Sequence, residues 1–80
     1  MKEGLLWFDN NPKRKLADKV NRAAIRYEEK FSRRPTICYL NTADLDDKTD
    51  EVEGIRLRSV PNVLRNHLWI GVENDMAEAA

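Results

Sequence analysis

Eighty residues allow one domain and one small core, and 41% apolar with 35% charged residues fit a soluble globular chain rather than a disordered one. The 14 basic and 14 acidic side chains cancel, and a pI near 6.6 argues against a dedicated high-affinity nucleic-acid binder. Cys38 is the lone cysteine, which excludes a disulfide framework and a thiolate metal cluster. No apolar run reads as a signal peptide or a membrane span, so the expected setting is reducing and cytoplasmic, with no membrane partner.

Gly4 to Phe8 is a short, continuous apolar run that ends in Asp9-Asn10-Asn11. It reads as a buried strand followed by a tight turn. The stretch from Asn11 to Phe31 reads as one long amphipathic helix. At about 100° per residue, Leu16, Val20, Ala23, Ala24, Tyr27 and Phe31 share roughly a third of the circumference. Lys15, Lys19, Arg22 and Arg26 line a second, basic stripe. Asn11 suits the N-cap and Pro12 the first helical position, where a missing N–H costs nothing. Pro35 stops the helix by pushing Arg34 out of the helical region, and no glycine cap is present. One local rule is broken. Lys13, Arg14 and Lys15 would crowd the first turn, where the helix dipole prefers anions. Asp9 and Asp18 are placed to offset them.

Thr36 to Leu40 is a second apolar run rich in strand formers. Strand, helix, strand makes a βαβ unit, whose two strands should run parallel in one sheet with a right-handed crossover. Asn41 to Glu53 is acidic and reads as a mobile, solvated loop, with Thr42 or Asp44 able to start one helical turn. Ile55-Arg56-Leu57-Arg58 alternates strictly, the mark of a strand with one dry and one wet face. Pro61-Asn62 marks a turn, and Leu68 to Val72 forms the last strand. The expected fold is therefore α+β in two layers: a four-stranded mixed sheet with one long helix on one face, in the order β-α-β-β-β. Residues 1–74 would form the domain and 75–80 a flexible acidic tail.

Charge is unevenly spread. Residues 1–35 carry ten basic and five acidic side chains, and 36–80 carry four and nine, giving +5 and −5. The two halves either neutralise each other on folding or leave a dipolar surface.

Candidate chemistry is sparse. His67 has no partner at metal or triad spacing, so a structural role is expected. Cys38 lies in an expected buried strand, where a thiol packs as a small hydrophobe. The acidic segment fails the EF-hand test: counting from Asp44, the fifth position is Lys48 and the sixth is Thr49, where a calcium loop needs an oxygen ligand and a glycine. No catalytic residue, metal ligand set or cofactor motif is expected. The strand tips gather Asp9, Asn10, Asn41 and Asp44 beside the positive end of the helix, an edge where anions or a carboxylate-held metal can bind. Asp9 followed by a basic helix resembles the opening of small CRISPR-associated ferredoxin-like nucleases over the first strand and helix only. The second half lacks the helix such a fold needs.

A lone helix covers one sheet face, yet the first two strands are apolar on both. An uncovered apolar face marks an interaction surface, unless the acidic segment or the C-terminal tail folds across it. The expected function is thus a small, non-catalytic interaction module, most simply a homodimer or a binder of another protein. Trp7, Tyr39 and Trp69 are the expected aromatic anchors. The alternative is phosphate or nucleic-acid contact through Lys13, Arg14, Lys15, Lys19, Arg22 and Arg26. A metal-dependent phosphodiester hydrolase at Asp9 and Asp44 is the third reading. Arg56 and Arg58 are expected to lie off the helix-covered face, blunting a sheet edge.

Overall fold

Alternation of apolar side chains decides which face of each strand the helix covers. The computed structural model describes residues 4–45 and 48–73. Its elements are β1 (Leu5–Phe8), α1 (Leu16–Phe31), β2 (Ile37–Leu40), a short 3₁₀ turn (Thr42–Asp44), β3 (Glu51–Val52), β4 (Ile55–Ser59) and β5 (His67–Gly71). The strands form one mixed sheet in the order β1-β5-β2-β4-β3. The architecture is α+β with one helix, as the periodicities predict. Two details differ from expectation, the number of strands and the start of the helix.

The sheet has five strands, not four. The fifth is β3, inside the acidic segment expected to be a mobile loop. Val52 pairs with Ile55 across a two-residue hairpin. Its turn residues, Glu53 and Gly54, both have positive φ (48° and 86°), the backbone that matches the twist of paired strands. Val52 and Ile55 are buried and draw this acidic stretch onto the core.

β1 and β2 run parallel, as a βαβ unit requires, but they are not neighbours. β5 lies between them, antiparallel to both. β5 is suited to that central place because its alternate residues are apolar on the covered face. Leu68 stands opposite Trp7 and Leu40, and Ile70 opposite Leu5 and Cys38. β2 pairs in parallel with β4 on its other side.

The helix begins at Leu16, not near Asn11. Asn11 does accept an amide hydrogen bond, but in a turn of its own. Its Oδ1 takes Lys13 N–H at 3.0 Å, and its carbonyl takes Arg14 N–H at 3.2 Å. Lys15 then adopts an extended backbone and leads into the helix. Local side-chain hydrogen bonds have outcompeted the first helical turn. Lys13, Arg14 and Lys15 therefore lie before the helix, and the expected clash with its dipole does not arise. The first turn carries Asp18, the sign the dipole favours. At the other end Ser32 takes the left-handed position usually given to glycine, and its N–H reaches Glu28 O at 2.9 Å.

Val20, Ala23, Ala24 and Tyr27 form the buried stripe of α1, at i, i+3, i+4 and i+7. They meet Cys38, Leu40, Val52, Ile55, Leu57, Leu68 and Ile70, with Leu5, Trp7, Leu16 and Phe31 packed around them. The two alanines let helix and sheet approach closely. Among the described residues, no helix is long and apolar enough to cross a membrane. The expected acidic tail, 75–80, lies outside the described residues, as does Asp46 of the tested calcium pattern.

Tyr27 is fully buried, and its hydroxyl has no hydrogen-bond partner among the described residues. Leaving such a group unpaired costs about 1–3 kcal/mol, whereas an apolar isostere does not. Tyr27→Phe should thus leave stability unchanged or raise it by about 1 kcal/mol, read as the urea midpoint. A clear loss would show that the hydroxyl is satisfied.

Candidate interaction surface

Residues that alternate with the core strips project from the opposite side of the sheet. These are Leu6 and Phe8 of β1, His67 and Trp69 of β5, Ile37 and Tyr39 of β2, and Arg56 and Arg58 of β4. The strand register aligns them, with Leu6 opposite Trp69, Trp69 opposite Tyr39, Tyr39 opposite Arg58, and Phe8 opposite His67. Leu6 is 56% exposed and Phe8 55%, while Tyr39 and Trp69 are half-buried. The face grades from apolar at β1 to charged at β4. At the charged end Arg56 reaches both carboxylate oxygens of Glu73 at 3.1 Å, and Ile37, between Arg56 and Gly71 in register, is fully buried.

Packing across this face is specific. Gly4 is where the indole of Trp69 lies. A Cβ there would stand 2.6 Å from Cζ2 of Trp69, a separation side chains do not tolerate. Phe8 and His67 rings lie 4.9 Å apart. His67 Nδ1 is 2.9 Å from Arg65 O. A carbonyl only accepts, so Nδ1 carries a proton in this contact.

Of the three expected anchors, Tyr39 and Trp69 come together here and Trp7 does not. Trp7 points to the helix side, opposite Leu68, and its buried Nε1 has no hydrogen-bond partner. Cys38 and Leu40 also face the helix. Burial pushes the Cys38 thiol up to about 12, which leaves it a packing residue rather than a nucleophile. Arg56 and Arg58 lie on the open face as expected, but β4 is an interior strand where β3 pairs with it.

The strand-tip edge holds a second feature, a cleft of about 250 Å³ lined by Asp9, Leu16, Lys19, Asp44, Asn66 and Leu68. The two carboxylates do meet, but every oxygen is engaged. Asp9 accepts from Asn11 N–H at 3.0 Å and from Arg14 at 2.6 Å. Asp44 accepts from Arg65 Nε at 2.6 Å and Asn66 N–H at 2.7 Å. Burial raises each carboxyl's pKa. The amide and guanidinium bonds, with Lys19 nearby, outweigh that and hold both below the ordinary value of 3.8. The Asp9 carboxylate fastens the β1–α1 turn upon itself, and the Asp44 carboxylate clamps the 3₁₀ turn to the turn before β5. Among the described residues, no group of three or more His, Cys, Asp or Glu is arranged to hold a metal.

The basic set is engaged in part. Arg14 is spent on Asp9, Arg26 lies 3.8 Å from Glu29, and Lys19 lines the cleft. Lys13, Lys15 and Arg22 are exposed. The charge halves meet in part: Arg34 bridges Glu28 at 3.3 Å and the Glu53 carbonyl at 2.9 Å, joining the helix end to the β3–β4 hairpin. The Arg14–Asp9 pair is the offset expected of Asp9, whereas sequence reasoning missed both the Arg14 turn's place before the helix and a second pair, Arg65–Asp44. The second spans 21 residues and leaves no local signal.

Comparison with known protein families, with curated proteins and with solved structures finds no match to this chain.

The clamps set a pH dependence. A carboxyl whose folded pKa is depressed contributes stability above its unfolded value and loses it as pH falls through the folded one. The urea midpoint should therefore drop below about pH 4, and the deficit of Asp9→Asn relative to wild type should shrink between about pH 7 and about pH 2. A deficit constant with pH would mean that Asp9 charge plays no part.

Proposed function

We propose that this protein is a small interaction module without chemistry of its own, and that it self-associates through the apolar end of its open sheet face. The observation that carries the reading is the exposure of Leu6 and Phe8 beside half-buried Tyr39 and Trp69 on a face the helix does not reach. Large apolar side chains grouped on one sheet face are costly to leave in water, at about 25 cal/mol per Å². Aromatic residues also dominate the energetics of protein interfaces. Trp69, seated on Gly4, offers a pre-ordered ring rather than a mobile one, so little side-chain entropy is lost on contact. A second copy meets the same need from its own side, which makes a symmetric dimer the simplest occupant. The engaged carboxylates at the strand tips support a non-catalytic role. The occupied Arg14 and Arg26 leave less of the basic helix surface for nucleic acid.

Light scattering should show a monomer–dimer equilibrium in the micromolar range. Phe8→Glu places a charge at the centre of the contact without touching the core, and should weaken association by at least about tenfold while leaving the urea midpoint nearly unchanged. A wild-type monomer at all accessible concentrations would refute the proposal.

A further inference from the structure

The open face has an equally open border. β1 is the edge strand next to β5, and the ladder shows which of its main-chain groups look outward. Asp9 N–H donates to Asn66 O at 2.9 Å, in register with the β1–β5 pairing. Main-chain groups alternate sides along a strand. Leu5 and Trp7 therefore bond to β5, and the N–H and C=O of Leu6 and Phe8 point away from the sheet. No partner for them is found among the described residues.

Natural edge strands are blunted by charge, proline, bulges or shortness. β3, at the far edge, follows that rule. It is two residues long, carries Glu51 and is flanked by Asp50 and Glu53. β1 breaks it, for Leu-Leu-Trp-Phe is four residues of regular strand with no charge and no proline.

We infer that β1 is a docking strand for the β1 of a second copy, paired antiparallel about a two-fold axis at Trp7. This rests on the self-association proposed above and adds to it a contact at the edge of that face, where the two sheets join side by side. Placing the axis at Trp7 sets Leu6 opposite Phe8 of the second copy, so each outward N–H and C=O of these residues gains a partner. On the open face, Leu6 and Phe8 of both copies then form one apolar strip. On the helix side Trp7 meets its symmetry mate, the one arrangement that brings Trp7 into the contact. A two-fold axis sets a strand against itself, so a charged edge would repel its copy. That excludes β3 and suits the uncharged β1. Because each chain offers one such edge, the pairing closes as a dimer and does not propagate into fibres.

The test is residue-resolved amide exchange of the full chain, at concentrations where light scattering reports monomer and where it reports dimer. Dimer formation should slow exchange at Leu6 and Phe8 by at least about tenfold, while Leu5 and Trp7, already bonded to β5, change little. A dimer whose Leu6 and Phe8 amides exchange as fast as in the monomer overturns strand pairing and leaves association through the face alone. The absence of any dimer removes both.

Discussion

One helix cannot cover two faces of a sheet, and the rest of this molecule follows from that limit. Val20, Ala23, Ala24 and Tyr27 dry one side. Because strand side chains alternate, every strand that contributes to that core also sends residues to the other side. A one-residue slip in β1 would exchange Leu5 and Trp7 for Leu6 and Phe8, so register is what separates core from surface here. The open face is then a direct product of the sequence: apolar at β1, aromatic at β5 and β2, and charged at β4.

What holds the register is electrostatic and lies at the strand tips. Asn66 adopts a left-handed backbone (φ 66°) in the turn before β5. Its carbonyl takes Asp9 N–H, and its own N–H goes to Asp44. Arg14 and Arg65 close over the two carboxylates. Three segments distant in sequence are thereby fixed to one another where β1 and β5 begin to pair. Carboxylates at the tips of strands invite a catalytic reading, and hydrogen-bond accounting answers it. Oxygens already held by amides and guanidinium groups at 2.6–3.0 Å serve the fold.

Much of this was legible in the sequence. The helical stripe, the two apolar runs, the alternation of Ile55 to Arg58 and the last strand all appear where periodicity places them. That one face of the sheet lies beyond the helix followed from counting helices. What remained hidden has physical causes. β3 is a two-residue strand in an acidic run, and its turn is Glu-Gly rather than the more telling Asn-Gly. The helix start is not legible because Asn11 and Pro12 are equally good at opening a turn, and here Asn11 holds Lys13 and Arg14 N–H in one. Trp7 was grouped with Trp69 because a run apolar at every position does not reveal which parity faces the helix. The Asp44 clamp has no local signature, since it depends on the β4–β5 turn arriving beside the 3₁₀ turn.

The central claim is that a second copy meets this one at the apolar end of the open face. It is tested most directly by isotope-filtered nuclear Overhauser spectroscopy on an equimolar mixture of labelled and unlabelled chains. Cross-copy contacts should arise from Leu6 and Phe8. Cross-copy contacts confined to outer residues such as Ile25 or Leu64, or none at millimolar concentration, would contradict it.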